Sequence, residues 1–78
     1  MSEARRLGVS PRLRCSSDVN CPDIFELPDG SIAIIGREAT EEVRHLLPSD
    51  ASFGSDERIV VVDRRVMMDA RPDIMALR

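Results

Sequence analysis

The stretch CPDIFELPDGSIAIIG, Cys21 to Gly36, decides the fold of this chain. Two short apolar runs flank the turn sequence LPDGS. Pro28 presets φ for the first turn position, Asp29 tolerates the second, and Gly30 supplies positive φ. The pattern predicts a β-hairpin with a three-residue loop, a type I turn followed by a bulge. Strand one runs from Asp23 to Leu27 and strand two from Ser31 to Gly36. Both strands carry apolar residues on both faces. Ile32 and Ile34 point one way while Ala33 and Ile35 point the other, and Phe25 and Leu27 oppose Ile24.

Beyond the hairpin the period changes. In REATEEVRHLLP, Ala39, Val43, Leu46 and Leu47 fall on one helical stripe. Thr40 is the expected N-cap, Glu41 and Glu42 suit the positive end of the helix, and Pro48 ends it. PSDASFGSDE reads as a loop, with Phe53 folded back over the edge of the core. RIVVV, Arg58 to Val62, is a β-branched run suited to a strand buried on both faces. Asp63 then caps a second short helix in which Val66, Met67 and Ala70 share a face and which Pro72 stops. The expected fold is α+β: a small three-stranded sheet, hairpin plus third strand, with two short helices in the order β-β-α-β-α. Residues 1–17 read as a mobile basic arm, 18–71 as a single domain and 72–78 as a tail, in which DIMALR can add another turn. The strand order stays open.

The chain has 78 residues, enough for one domain whose core contributes only about 3–5 kcal/mol without a staple or partner. It has no Trp or Tyr and two Phe, so its core is aliphatic. Every basic residue is Arg, which fits a GC-rich coding bias better than any demand of the fold. Charge is uneven. Residues 16–63 hold eleven acids against Arg37, Arg44 and Arg58, a balance of −8, while both ends are basic. An acidic body between basic ends disfavours nucleic acid and favours a basic protein partner. MSEARRLGVSPRLR lacks the apolar region of a secretory signal, and no run approaches a membrane span, so cytoplasmic residence is the expectation.

Chemistry is sparse. Cys15, Cys21 and His45 offer three metal donors without the paired spacing of a zinc site, so no metal or other cofactor is expected. A Cys15–Cys21 disulfide is sterically possible, but two free thiols suit a reducing cytoplasm better. His45 lies off the apolar stripe, Glu41 and Glu42 diverge around the helix, and the glycines form no phosphate loop. No pocket-sized volume is expected either. The chain therefore reads as no enzyme but as an interaction module, with more apolar sheet than two short helices can cover. Ile24, Ile35, Val61 and Met68 are the expected apolar contacts with a partner, and Glu41 and Glu42 the expected acidic ones. A homodimer is the simplest arrangement, because twofold pairing needs only one self-complementary patch. Arg-rich ends touching nucleic acid, or a metal-stabilised domain, are the rival readings.

One resemblance bears on the partner. Ser16, Ser17, Asn20, Cys21, Glu26, the turn Leu27 to Gly30 and the strand Ile32 to Ile34 together resemble the small actinobacterial proteins related to BldB. They also resemble short regulatory accessory proteins encoded near helix-turn-helix regulators. Arg14 and Cys15 stand where an aromatic residue usually precedes the paired serines. The resemblance implies a dimeric accessory protein that contacts a DNA-binding regulator, and it brings no catalytic residues.

Overall fold

A computed structural model of the chain describes residues 3–10 and 21–78. Ser16, Ser17, Asn20 and Cys15 lie outside them. Three strands, β1 (Arg5–Arg6), β2 (Asp23–Glu26) and β3 (Ile32–Ile35), form an antiparallel sheet in the order β1-β2-β3. Next come β4 (Arg37–Glu38), helix α1 (Thr40–Val43) with a 3₁₀ turn at Arg44–Leu46, β5 (Val60–Val61) and helix α2 (Arg64–Met75). β4 and β5 pair as a separate antiparallel ribbon. The fold is thus α+β, and from β2 onward it keeps the β-β-α-β-α order, with β4 added before α1.

The hairpin forms as its turn residues dictate. Gly30 donates to the Leu27 carbonyl at 2.9 Å and holds φ at 91°, while Leu27 donates to the Ser31 carbonyl at 2.8 Å. The Asp29 carboxylate accepts from Ser31 N–H at 2.9 Å and from its hydroxyl at 2.5 Å. Those two bonds, the hydroxyl one first, hold the Asp29 carboxyl below its ordinary value.

The third strand of the sheet is where the structure departs from expectation. RIVVV does not join the hairpin; Arg5–Arg6 does, against the free edge of β2. Charge matches across that pair: Arg5 reaches Glu26 at 3.0 Å, and Arg6 grips Asp23 with contacts of 2.9 to 3.2 Å. Val60–Val61 pairs instead with Arg37–Glu38, because the chain turns out of β3 at Gly36. A Cβ there would lie 2.8 Å from Val62 Cγ1 and 2.9 Å from the Val61 carbonyl oxygen. Only glycine lets the β5 backbone approach so closely. Val60 and Val61 remain 41% and 37% exposed, so the run is not buried on both faces.

The segment expected as a mobile arm also contributes to the core. Leu7, 1% exposed, donates its N–H to the Ile24 carbonyl at 2.9 Å. Leu7, Ile24, Val66 and Ala70 form the buried cluster, with Val62, Ile74 and Leu77 packed against it. Gly8 seals the arrangement. Its φ is 87°, a Cβ would sit 3.0 Å from both Cα and N of Ala70, and its N–H donates to Asp73 Oδ2 at 2.6 Å.

α2 starts as expected, with the Asp63 carboxylate accepting from Arg65 N–H at 2.9 Å. Val66 and Ala70 are buried, but Met67 is 40% exposed at the rim of that face. Pro72 does not stop the helix, which continues to Met75. A proline there cannot donate to the carbonyl of Met68. The continuation is held by Asp73 on Gly8, by Ile74 and Leu77 against the core, and by Ala76 N–H bonding back to the Pro72 carbonyl at 3.2 Å. The last residues are therefore part of the fold rather than a tail.

α1 is shorter than the stripe suggested. Ala39 takes the N-cap place and is buried, whereas Leu46 is 72% exposed beyond the 3₁₀ turn. Capping falls to the Glu38 carboxylate, which accepts from Thr40 N–H at 3.0 Å and from the Thr40 hydroxyl at 2.7 Å.

Candidate interaction surface

The register of the sheet sorts its side chains. Ile24 faces Ile34 and Glu26 faces Ile32, so these four share the face that carries Leu7 and α2. Asp23, Phe25, Ala33 and Ile35 share the other. α2 packs over Leu7 and Ile24, towards the β1 side. Ile32 and Ile34 accordingly remain 42% and 43% exposed although they are on the helix side of the sheet. On the opposite face Ile35 is 55% exposed, beside a half-buried Phe25 whose ring lies 5.2 Å from the Arg6 guanidinium.

β3 is also a sheet edge. The bond from Leu27 to Ser31 fixes the alternation of the ladder. Phe25 with Ala33 and Asp23 with Ile35 are then the bonded pairs, and the N–H and C=O of Ile32 and Ile34 point away from β2. The same alternation turns the Ile24 carbonyl towards Leu7. Among the described residues no backbone group pairs with the outer edge of β3, and that edge carries neither charge nor proline.

The six expected contact residues do not converge. Ile24, 2% exposed, lies beneath α2, so its side chain is core and not contact surface. Ile35 and Val61 are exposed, and Met68, 58% exposed, lies on α2, across the sheet from Ile35. Glu41 and Glu42 are exposed but engaged: Arg44 reaches Glu41 at 2.9 Å, and Arg37 clasps both oxygens of Glu42 at 2.7 and 3.2 Å. That clasp lowers the Glu42 carboxyl below its ordinary range and raises the Arg37 guanidinium above its own. The Glu38 carboxyl is lowered chiefly by the Thr40 hydroxyl, then by Thr40 N–H, with a smaller pull from Arg58.

A groove of about 510 Å³ lies between α1 and the loop that follows it, contrary to the expectation of no such volume. Phe53 and Arg44 form part of its wall, the guanidinium 5.1 Å from the ring. Arg58 donates from Nη1 to the carbonyls of Ser55 and Glu57, and its Nε lies 4.0 Å from Glu38. The buried Thr40 hydroxyl in the wall donates to Glu38 at 2.7 Å and accepts from Ile59 N–H at 2.9 Å, so it ties β4 to the chain entering β5.

Cys21 is half-buried and disulfide-bonded, which corrects the expectation of a free thiol. Among the described residues no three His, Cys, Asp or Glu side chains gather as for a metal ion. No described helix is long and apolar enough to cross a membrane. No family model, no curated protein and no solved structure matches the chain.

Proposed function

We propose that this chain is a non-enzymatic protein-interaction module that dimerises by pairing β3 with β3 of a second copy. The carrying observation is the outer edge of β3, four uncharged residues with exposed isoleucines and outward backbone groups. A twofold axis at Ala33 sets Ile32 against Ile34 of the second copy and Ile34 against its Ile32. Each such pair exchanges two backbone bonds, so four form in all. All four isoleucines then meet on the α2 side, and the closely spaced pair at the axis is Ala33 with Ala33. The result is one six-stranded sheet with Ile35 still displayed on its far face.

The hairpin resemblance adds the second partner. The dimer acts as a regulatory accessory that binds a helix-turn-helix regulator, with Ile35, Val61 and Met68 as its exposed apolar contacts. Cytoplasmic residence belongs to this reading. The disulfide at Cys21 pulls the other way, since cytosolic thiols are kept reduced; thiol counting on protein from a reducing host resolves the conflict.

Mass in solution tests the dimer. Sedimentation across micromolar concentrations should give twice 8.7 kDa, and Ile34→Lys, which places a charge on the edge, should give 8.7 kDa with the far-UV spectrum unchanged. A wild-type protein that stays at 8.7 kDa up to millimolar concentration refutes the pairing. For the regulator, the chain is titrated into a helix-turn-helix regulator from the same genome, bound to its DNA. Unchanged DNA affinity at low salt removes that step and leaves the dimer standing.

A further inference from the structure

The charges that remain uncompensated are not the expected ones. Arg5, Arg6, Arg37, Arg44, Arg58 and Arg65 each reach a carboxylate within 4.0 Å. Among the described residues Arg64, Arg71 and Arg78 reach none. Arg64 and Arg71 alternate with Met68 and Met75 at spacings of four, three and four along α2, and Arg78 follows just past its end. At about 100° per residue those four helix positions fall within an arc of about 60°, turned away from Val66 and Ala70. All are exposed, Met68 by 58% and Met75 by 75%. The carboxylates of α2 lie elsewhere, Asp69 near Arg65 and Asp73 on Gly8 N–H.

This stripe runs against the needs of the helix itself. Arg64 and Arg65 occupy the first turn, where the dipole disfavours cations, and the last turn carries no basic residue. Arg65 has Asp69 to offset its charge; among the described residues Arg64 has no carboxylate within 4.0 Å. Two large thioethers are likewise left in water. Stability of the free protomer explains neither.

We infer that the Arg64–Met68–Arg71–Met75 stripe docks an acidic amphipathic helix of a partner protein. Spacings of four and three are those of a coiled-coil seam, so apolar knobs of an incoming helix meet the methionines while its carboxylates meet the guanidinia. Methionine suits such contacts because its flexible thioether adapts to the surface offered. Duplex nucleic acid fits less well. Phosphates give the methionines no contact, and a long polyanion overruns the roughly 16 Å stripe on a chain whose net charge is −3. A lipid surface requires a broad apolar face, and the face of α2 that could supply it is buried on the sheet.

The experiment uses the full chain, titrated separately with three probes at 50 mM salt. They are a 21-residue helical peptide with Leu at the seam and Glu flanking it, a 16-base-pair DNA duplex, and vesicles of phosphatidylglycerol. The peptide should bind tightest and weaken as salt rises to 300 mM. Arg64→Glu/Arg71→Glu should weaken it about tenfold or more, and Met68→Ser/Met75→Ser should also weaken it. Because Arg64 opposes the dipole, the charge-reversed variant should melt no lower than wild type, which separates lost binding from lost folding. Equal peptide affinity in wild type and the charge-reversed variant overturns the inference, as does tighter binding to the duplex or to vesicles. Ile34→Lys leaves the stripe intact, so failure of the dimer does not disturb this test.

Discussion

Replacing Gly8 by alanine puts a methyl group where the N-terminal strand crosses α2, and the outcome is calculable. Two costs arise. The first is conformational: φ at 87° lies in the left-handed region, at about 1–2 kcal/mol for a residue with a Cβ. The second is steric, because the Cβ would stand 3.0 Å from the Cα and N of Ala70 and 3.2 Å from the Asp69 carbonyl carbon. Helix backbone cannot yield, so the strand must lift. Lifting sacrifices the 2.6 Å bond to Asp73, about 1.5–3 kcal/mol for a bond to a charged group, and the burial of Leu7, about 1.5–3 kcal/mol. Together these match or exceed the whole stability of about 3–5 kcal/mol expected for a chain this small. Gly30→Ala is the control: its φ is 91°, but nothing lies within 4 Å of the new methyl. Gly30→Ala should lose only the conformational part, while Gly8→Ala should be largely unfolded at 25 °C. Urea melts followed by far-UV circular dichroism measure both, since the chain has no Trp or Tyr to report by fluorescence. If the two variants fall within about 0.5 kcal/mol of each other, β1 is not docked on α2 as described.

Three further outcomes can be checked by melts of the same kind, with amide exchange measured alongside the first. Thr40→Val keeps the shape but strips Ile59 N–H and Glu38 of a partner, and should cost about 1–3 kcal/mol, with faster amide exchange at Ile59. Pro72→Ala restores a donor inside α2 and should raise stability by about 2 kcal/mol, the helix gain less the looser unfolded chain; a neutral result means the helix is broken at Pro72. Glu38 and Glu42, ordinarily at 4.5, and Asp29, ordinarily at 3.8, are all lowered in the fold. Their contribution is complete above those ordinary values and disappears as pH falls through the lowered ones, so acid melts should be flattened by Glu38→Gln or Glu42→Gln.

What was legible in the sequence was local. The Pro-Asp-Gly turn and the Asp63 cap each act over three or four residues, and both form as read. What was not legible depends on approach in space. Gly36 looks like an ordinary turn residue until Val61 and Val62 are brought against it, and that approach sends RIVVV to β4 instead of the hairpin. Arg5–Arg6 is too short to show alternation; its strand is held by Glu26 opposite Arg5 and by Asp23 within reach of Arg6, 21 and 17 residues away. The Arg37–Glu42 clasp crosses from strand to helix at a separation of five, outside the helical i, i+3 and i, i+4 spacings, so Glu42 reads as free when it is not. A proline at position 72 reads as a helix stop, which separates Met75 from its row and conceals the Arg–Met stripe.

The placement of the core ties these features together. Leu7 comes from one end of the chain, Val66 and Ala70 from the other, and they meet over Ile24 at the β1 side of the sheet. One helix cannot also cover β3, so the hairpin's outer strand is left with two isoleucines more than 40% exposed on the helix side and, among the described residues, no backbone partner at its outer edge. Lengthening α2 would not help, since its direction over β2 is set by Gly8 and Asp73. In the proposed dimer a second copy supplies what the protomer lacks, and it would bind the folded hairpin but not the unfolded chain. Folding and association are then linked by mass action, so the melting temperature should climb with protein concentration in the wild type and lose that dependence in Ile34→Lys.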